Sequence, residues 1–126
     1  MASIIRLDDL IRAHTSNQLG GDLLRLGSAS CSVIEYLNRG DAIVVTFCRN
    51  SDEIDPSRIG PNSPIEWCSD GEWLWPNILS YYIREYDLPF PKSFYKHMQD
   101  QSWSIPGFIP RDKTDRLVDL LMKLAG

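Results

Sequence analysis

Apolar residues recur at helical spacing over Ser3–His14, where Ile4, Leu7, Leu10 and Ile11 form one stripe that ends at His14. The Thr-Ser-Asn that follows supplies a stop, so a first helix is expected there. Beyond the Gly20-Gly21 break, Leu23, Leu24 and Leu26 fit a short strand or a loop, whereas Ser30–Asn38 sets Val33, Ile34 and Leu37 on one helical face. Gly40 suits the C-cap of that helix. Ala42–Cys48 is a continuous β-branched run, the pattern of a strand covered on both faces, which predicts the centre of a sheet. After Pro76, residues Ile78, Leu79, Tyr82, Ile83 and Tyr86 again follow helical spacing and stop before Pro89. A shorter helix runs from Pro91 to about Gln101 with Phe94 and Met98 one turn apart, and Pro106–Pro110 reads as a rigid loop. The last helix begins near an Asp112/Asp115 capping arrangement, and its stripe of Leu117, Leu120, Leu121 and Leu124 is expected to close the core.

Asp70-Gly71, set between the aromatic-rich runs of Ile65–Trp75, has the chemistry of a type I′ hairpin turn. A two-residue loop would pair Ser69 with Glu72, Cys68 with Trp73, Trp67 with Leu74 and Glu66 with Trp75. Ile65, Trp67 and Leu74 then share one face, and Cys68, Trp73 and Trp75 the other. The expected fold class is α+β, a small antiparallel sheet of three or four strands packed with about five helices, as one domain over residues 1–126.

Composition narrows the function. The chain has 126 residues, 13 Lys+Arg against 17 Asp+Glu and a net charge of −4. No clustered basic surface is expected, which argues against nucleic acid as a partner. No run nears the roughly 18 apolar residues needed to span a bilayer, so a membrane is not expected either. Asp8 and Asp9 fall where a signal peptide would be apolar, and the chain is expected to start at Met1. Three cysteines without C-x-x-C spacing fit a reducing cytoplasm better than a disulfide framework or a Cys-rich zinc site.

Candidate chemistry is sparse. His14 and His97 are the two histidines, and the ordinary reading of each is a helix-end or surface imidazole, with the helix dipole sufficient to explain His14. Neither has a local nucleophile pattern, and no metal-ligand spacing or phosphate-binding glycine loop is present, so no catalytic residue, metal or cofactor is expected. Cys48 and Cys68 are candidates for neighbours across the sheet, as inert thiols. Charge is more informative: between Asp41 and Glu72 lie Asp41, Asp52, Glu53, Asp55, Glu66, Asp70 and Glu72 against Arg49 and Arg58. That segment combines electrostatic steering with aromatic anchors, a pattern suited to a basic protein partner. Asp52, Glu53 and Asp55 are expected in a self-repelling loop that contributes little to stability, and Trp73 is the expected exposed anchor. The bland alternative is a solvated loop beside core tryptophans.

The string Ser69-Asp70-Gly71-Glu72-Trp73-Leu74-Trp75-Pro76, followed by Leu79-Ser80-Tyr81-Tyr82, then Leu88-Pro89 and Phe94, resembles a DGxWxWP…YY…LP…F signature. Upstream, Tyr36-Leu37-Asn38-Arg39-Gly40 before a β run is similar to the same group: small bacterial immunity proteins of polymorphic toxin and contact-dependent growth inhibition systems. The likeness spans roughly Val33–Met98. It implies a non-enzymatic protein that binds and neutralises a cognate toxin domain, with Asp52, Glu53, Asp55, Glu66, Asp70, Glu72 and Trp73 as candidate partner-binding residues from the charge argument. The alternatives are a small hydrolase or transferase using His97 or His14 with nearby carboxylates, and a regulatory interaction module. An enzyme should present a concave pocket joining a histidine to a carboxylate, and an immunity protein its acids and aromatics on an exposed face.

Overall fold

A computed structural model describes residues 2–125. In chain order the elements are β1 (Ser3–Ile4), α1 (Leu7–Ser16), β2 (Leu23–Leu24), α2 (Ser30–Asn38), β3 (Asp41–Arg49), β4 (Pro64–Ser69), β5 (Trp73–Pro76), α3 (Leu79–Tyr86), β6 (Phe90–Pro91), α4 (Lys92–Asp100) and α5 (Arg111–Ala125). A four-stranded sheet of order β1-β5-β4-β3 and a two-stranded β2-β6 sheet pack with the five helices, so the α+β class holds. The large sheet is mixed: β3-β4-β5 is antiparallel, while β1 lies parallel to β5. The apolar pair Ile4-Ile5 therefore belongs to the sheet edge, where Ile5 N–H donates to the Leu74 carbonyl, and the first helix starts only at Leu7.

The hairpin register differs from the two-residue reading. Ser69 faces Leu74, Cys68 faces Trp75 and Trp67 faces Pro76, leaving Asp70–Trp73 as a four-residue connection. Each partner has moved by two positions. Because side chains alternate with period two, that shift keeps every residue on its expected face. Trp75 and Cys68 enter the main core with Val33, Tyr36 and Leu37 of α2, Leu79, Tyr82 and Ile83 of α3, and Phe94 and Met98 of α4. On the opposite face Leu74 is buried with Leu117 and Leu121, flanked by half-buried Trp67, Ile43 and Val44.

Two further expectations are corrected. β3 is the outer strand rather than the centre, with Val45 63% and Phe47 105% exposed; its apolar run is a property of its sequence and not a sign of two-sided cover. On α5 the seated stripe is Leu117 and Leu121, one turn apart, whereas Leu120 is half-buried and Leu124 exposed. A single helix laid on a sheet buries a narrower stripe than one enclosed in a bundle. Gly40 also has a different reason from the expected cap. A Cβ there would lie 2.3 Å from Cζ2 of Trp75, so the glycine makes room for the indole.

Candidate functional site

Two loops carry five of the seven acidic residues between Asp41 and Glu72, and both are built around a buried aspartate. Asp70, 4% exposed, closes the β4–β5 connection by accepting on Oδ1 from the N–H groups of Glu72 (3.0 Å) and Trp73 (2.8 Å). Its Oδ2 accepts from the Tyr36 hydroxyl at 2.5 Å and lies 2.8 Å from His97 Nε2. Gly71, at φ 103°, supplies the left-handed step that lets the chain turn over the carboxylate. Ser69 Oγ donates to the Trp73 carbonyl and accepts from Gly71 N–H, completing the turn. Burial, then the hydrogen bond to Asp70, push the Tyr36 phenol far above its ordinary range and keep it a donor.

Asp52, 3% exposed, repeats this construction in the loop between β3 and β4. Oδ1 accepts from Ile54 N–H (3.0 Å) and Asp55 N–H (2.8 Å), while Oδ2 accepts from the hydroxyls of Tyr81 (2.7 Å) and Tyr86 (2.5 Å) on α3. Burial alone would raise the Asp52 pKa, but the donors, led by Tyr86 and Asp55 N–H, outweigh it and hold the carboxyl below its usual value. Reciprocally, the bond to Asp52 pushes the Tyr81 phenol up to about 12. Tyr82 joins from the core, donating to the Ser51 carbonyl and accepting from Glu53 N–H. Arg58 pairs with Glu85 and lies 5.4 Å from the Tyr86 ring centroid, pinning the far side of the loop to the same helix.

The candidate partner-binding residues thus separate. Asp52 and Asp70 are interior and hold loops in shape, so the expectation that Asp52 belongs to a merely solvated, self-repelling segment is overturned. Glu53 and Glu72 are exposed, each directly after or two residues after its buried aspartate. Asp55 is half-buried and accepts from the N–H and hydroxyl of Ser57, and Glu66 is half-buried in β4. Trp73 is half-buried rather than freely exposed, because its ring stacks on Phe94 at 4.4 Å and 6°.

Residues to which the sequence reading gave no part in these loops do the organising. Tyr36, Tyr81, Tyr86 and His97 converge on the two carboxylates from α2, α3 and α4. Asp70-Gly71-Glu72-Trp73 and Asp52-Glu53-Ile54-Asp55 are both four-residue segments headed by aspartate, the side chain that most readily caps N–H groups two and three positions ahead. That signal was present in the sequence. The tyrosine partners, 34 and 29 residues away for Tyr36–Asp70 and Tyr81–Asp52, carried none.

His97 is no simple surface imidazole: Nε2 faces Asp70, Nδ1 lies 3.5 Å from Glu72, and the side chain is 14% exposed. With a carboxylate at each nitrogen, its geometry is that of a strut between loop and helix. His14, in the last turn of α1, accepts from Arg25 at Nδ1; burial and then the Arg25 charge hold its pKa below the ordinary value, the opposite of a dipole-stabilised imidazolium. Cys68 faces Ala42, so it is no neighbour of exposed Cys48, and burial pushes its thiol up to about 11. Among the described residues no group of three or more His, Cys, Asp or Glu gathers as metal ligands, and no helix is long and apolar enough to cross a membrane. A cleft of about 420 Å³ runs between β1, the start of α1 and the end of α5; its walls include Arg6, Asp9, Arg49 and Trp67, while His97 and Asp70 lie outside it. Comparison with protein families, curated proteins and solved structures finds no match to this chain.

Proposed function

We propose that this protein is a non-enzymatic immunity protein that binds and neutralises a cognate bacterial toxin domain in the cytoplasm. The observation that carries this reading is the pair of loops preorganised by buried aspartates, each presenting an exposed glutamate, Glu53 or Glu72, from a rigid base. Loops fixed before binding lose little entropy on association, and exposed carboxylates steer a basic partner toward them. The resemblance of the Ser69–Pro76 string points to the same class. Trp73 adds an aromatic edge beside Glu72 and remains partly accessible.

The hydrolase or transferase reading has one observation in its favour, the 2.8 Å approach of His97 to Asp70. A base oriented by a carboxylate needs its second nitrogen directed at substrate. Here that nitrogen faces Glu72 instead. The test takes the domain encoded directly upstream of this chain's gene as the candidate toxin and mixes it with wild-type protein and with a Glu53→Gln/Glu72→Gln variant. Association should slow several-fold at low salt, converging with wild type as salt rises, and Trp73→Ala should chiefly speed dissociation. Unchanged association rates in the charge variant would remove the acidic loops from the interface; absence of any complex would remove the immunity reading.

A further inference from the structure

His97 stands between two carboxylates of unequal freedom. Asp70 is interior, with Oδ1 accepting from two backbone N–H groups and Oδ2 from the Tyr36 hydroxyl. A carboxylate that accepts at every other contact accepts here too, so His97 Nε2, 2.8 Å away, is the donor. That fixes the neutral ring as the Nε2–H tautomer and leaves a lone pair on Nδ1. The lone pair faces Glu72 Oε2 at 3.5 Å, acceptor against acceptor. Glu72 is held only by its backbone: its N–H donates to Asp70 and its carbonyl accepts from Ser3 N–H, while the side chain is 47% exposed. The other charged groups around the ring have partners of their own. On α4 Lys96 pairs with Asp100, on α2 Arg39 donates to the Trp103 carbonyl, and Gln101–Ile109 carries no charge. Trp73 and Phe94 flank the imidazole, each ring centroid 6.3 Å from its own.

We propose that His97 is a proton-operated latch on Glu72, which regulates the partner-binding face by holding that carboxylate when Nδ1 takes a proton and freeing it when the proton leaves. The regulatory half rests on the immunity reading given above; the latch itself does not. The step is a single proton transfer from water to Nδ1, forming one N–H bond. The ring then donates from both nitrogens, keeping its bond to Asp70 and gaining one to Glu72, and its positive charge offsets the field of the carboxylate that steers a basic partner. Imidazole suits the task because it is the side chain that ordinarily changes charge between about pH 5 and 8. Only the Glu72 side chain has to move, since its backbone is fixed on both sides. Among the described residues no histidine pairs with Glu53, so the two exposed glutamates respond differently: Glu53 steers throughout, and Glu72 only while the latch is open.

NMR of the full chain tests the latch without any partner, following the His97 ring nitrogens and the Glu72 carboxyl carbon from about pH 8 to about pH 5.5. At the upper end His97 should be the Nε2–H tautomer, and the Glu72 resonance should move together with the ring as it takes up its proton. Glu72→Gln should lower the midpoint of the His97 titration by about half a pH unit, the size a partly exposed ion pair supplies. The substitution changes an accessible side chain and leaves the Asp70 bonds in place. An Nδ1–H tautomer overturns the proposal, as does a Glu72 resonance that ignores the ring or a midpoint that Glu72→Gln leaves unmoved. Regulation is read with the upstream-encoded domain at low salt. Association with wild type should slow about two- to threefold over the same fall in pH, and Glu72→Gln should be slower throughout and lose most of this dependence. Titration of His14 and of the partner is common to both proteins, so a dependence that survives Glu72→Gln overturns the latch as a regulator. Absence of any complex would remove the immunity reading alone, with the ring measurements still deciding the latch.

Discussion

Asp52 shows how much one carboxylate can organise when its donors come from two directions. Two loop N–H groups and two tyrosine hydroxyls converge on it, so the loop between β3 and β4 and the helix α3 are joined at a single interior point. Replacing Asp52 with Ala removes four bonds and leaves buried donors unpaired, which should cost about 2–4 kcal/mol by chemical denaturation. A ΔΔG near zero would contradict the geometry. The pH dependence follows from the depressed pKa: a carboxyl held below its unfolded value contributes stability that is fully present above roughly pH 4 and is lost as pH falls through the folded value. Asp52→Asn should therefore be less stable than wild type at pH 7, with the gap narrowing as pH falls below about 4, in denaturant melts at successive pH values. Composition had pointed the opposite way for this residue. Charge counting treats acids in a segment as equivalent, whereas burial and hydrogen bonding make two of them structural and leave others free.

At the scale of elements, α5 separates pattern from packing. Its four leucines look equal in the sequence, yet only Leu117 and Leu121 are buried against the sheet. Leu117→Ala should destabilise by about 2–5 kcal/mol, and Leu120→Ala by clearly less, in paired denaturant titrations. Equal losses would mean that the helix seats on a broader stripe. Helices elsewhere were legible from apolar spacing or from a proline before them: α2, placed by Val33, Ile34 and Leu37, occupies the expected Ser30–Asn38, and α4 follows Pro91. β3 was legible as a strand but not as an edge, because strand order depends on which partners exist and a sequence run records only its own apolarity. The hairpin is instructive in between. Its faces followed from alternation alone, while its register depended on Asp70 capping a four-residue loop, a side-chain choice that the Asp-Gly pair does not reveal.

The whole molecule has two unequal cores sharing one sheet. One holds Tyr36, Trp75, Tyr82, Phe90 and Phe94 among many buried side chains, and the other rests on Leu74, Leu117 and Leu121. Native-state hydrogen exchange should show α5 amides opening at lower free energy than those of α2 and α3, because local stability tracks the apolar surface each element buries. Uniform protection across the three helices would show that the two cores unfold as one. The Ser69–Pro76 string and the Tyr36–Gly40 string upstream meet at this scale: Tyr36 donates to Asp70, and Gly40 packs closely against the Trp75 indole. Most of what makes these strings recognisable is interior, so they describe how the scaffold closes more than what it touches. That contact has a genealogical consequence. In chains descended from a common ancestor with this one, positions 40 and 75 cannot drift separately, because any side chain at 40 requires a smaller ring at 75; the two should be inherited as a pair, even where the glutamates between the strings have been exchanged to suit another partner.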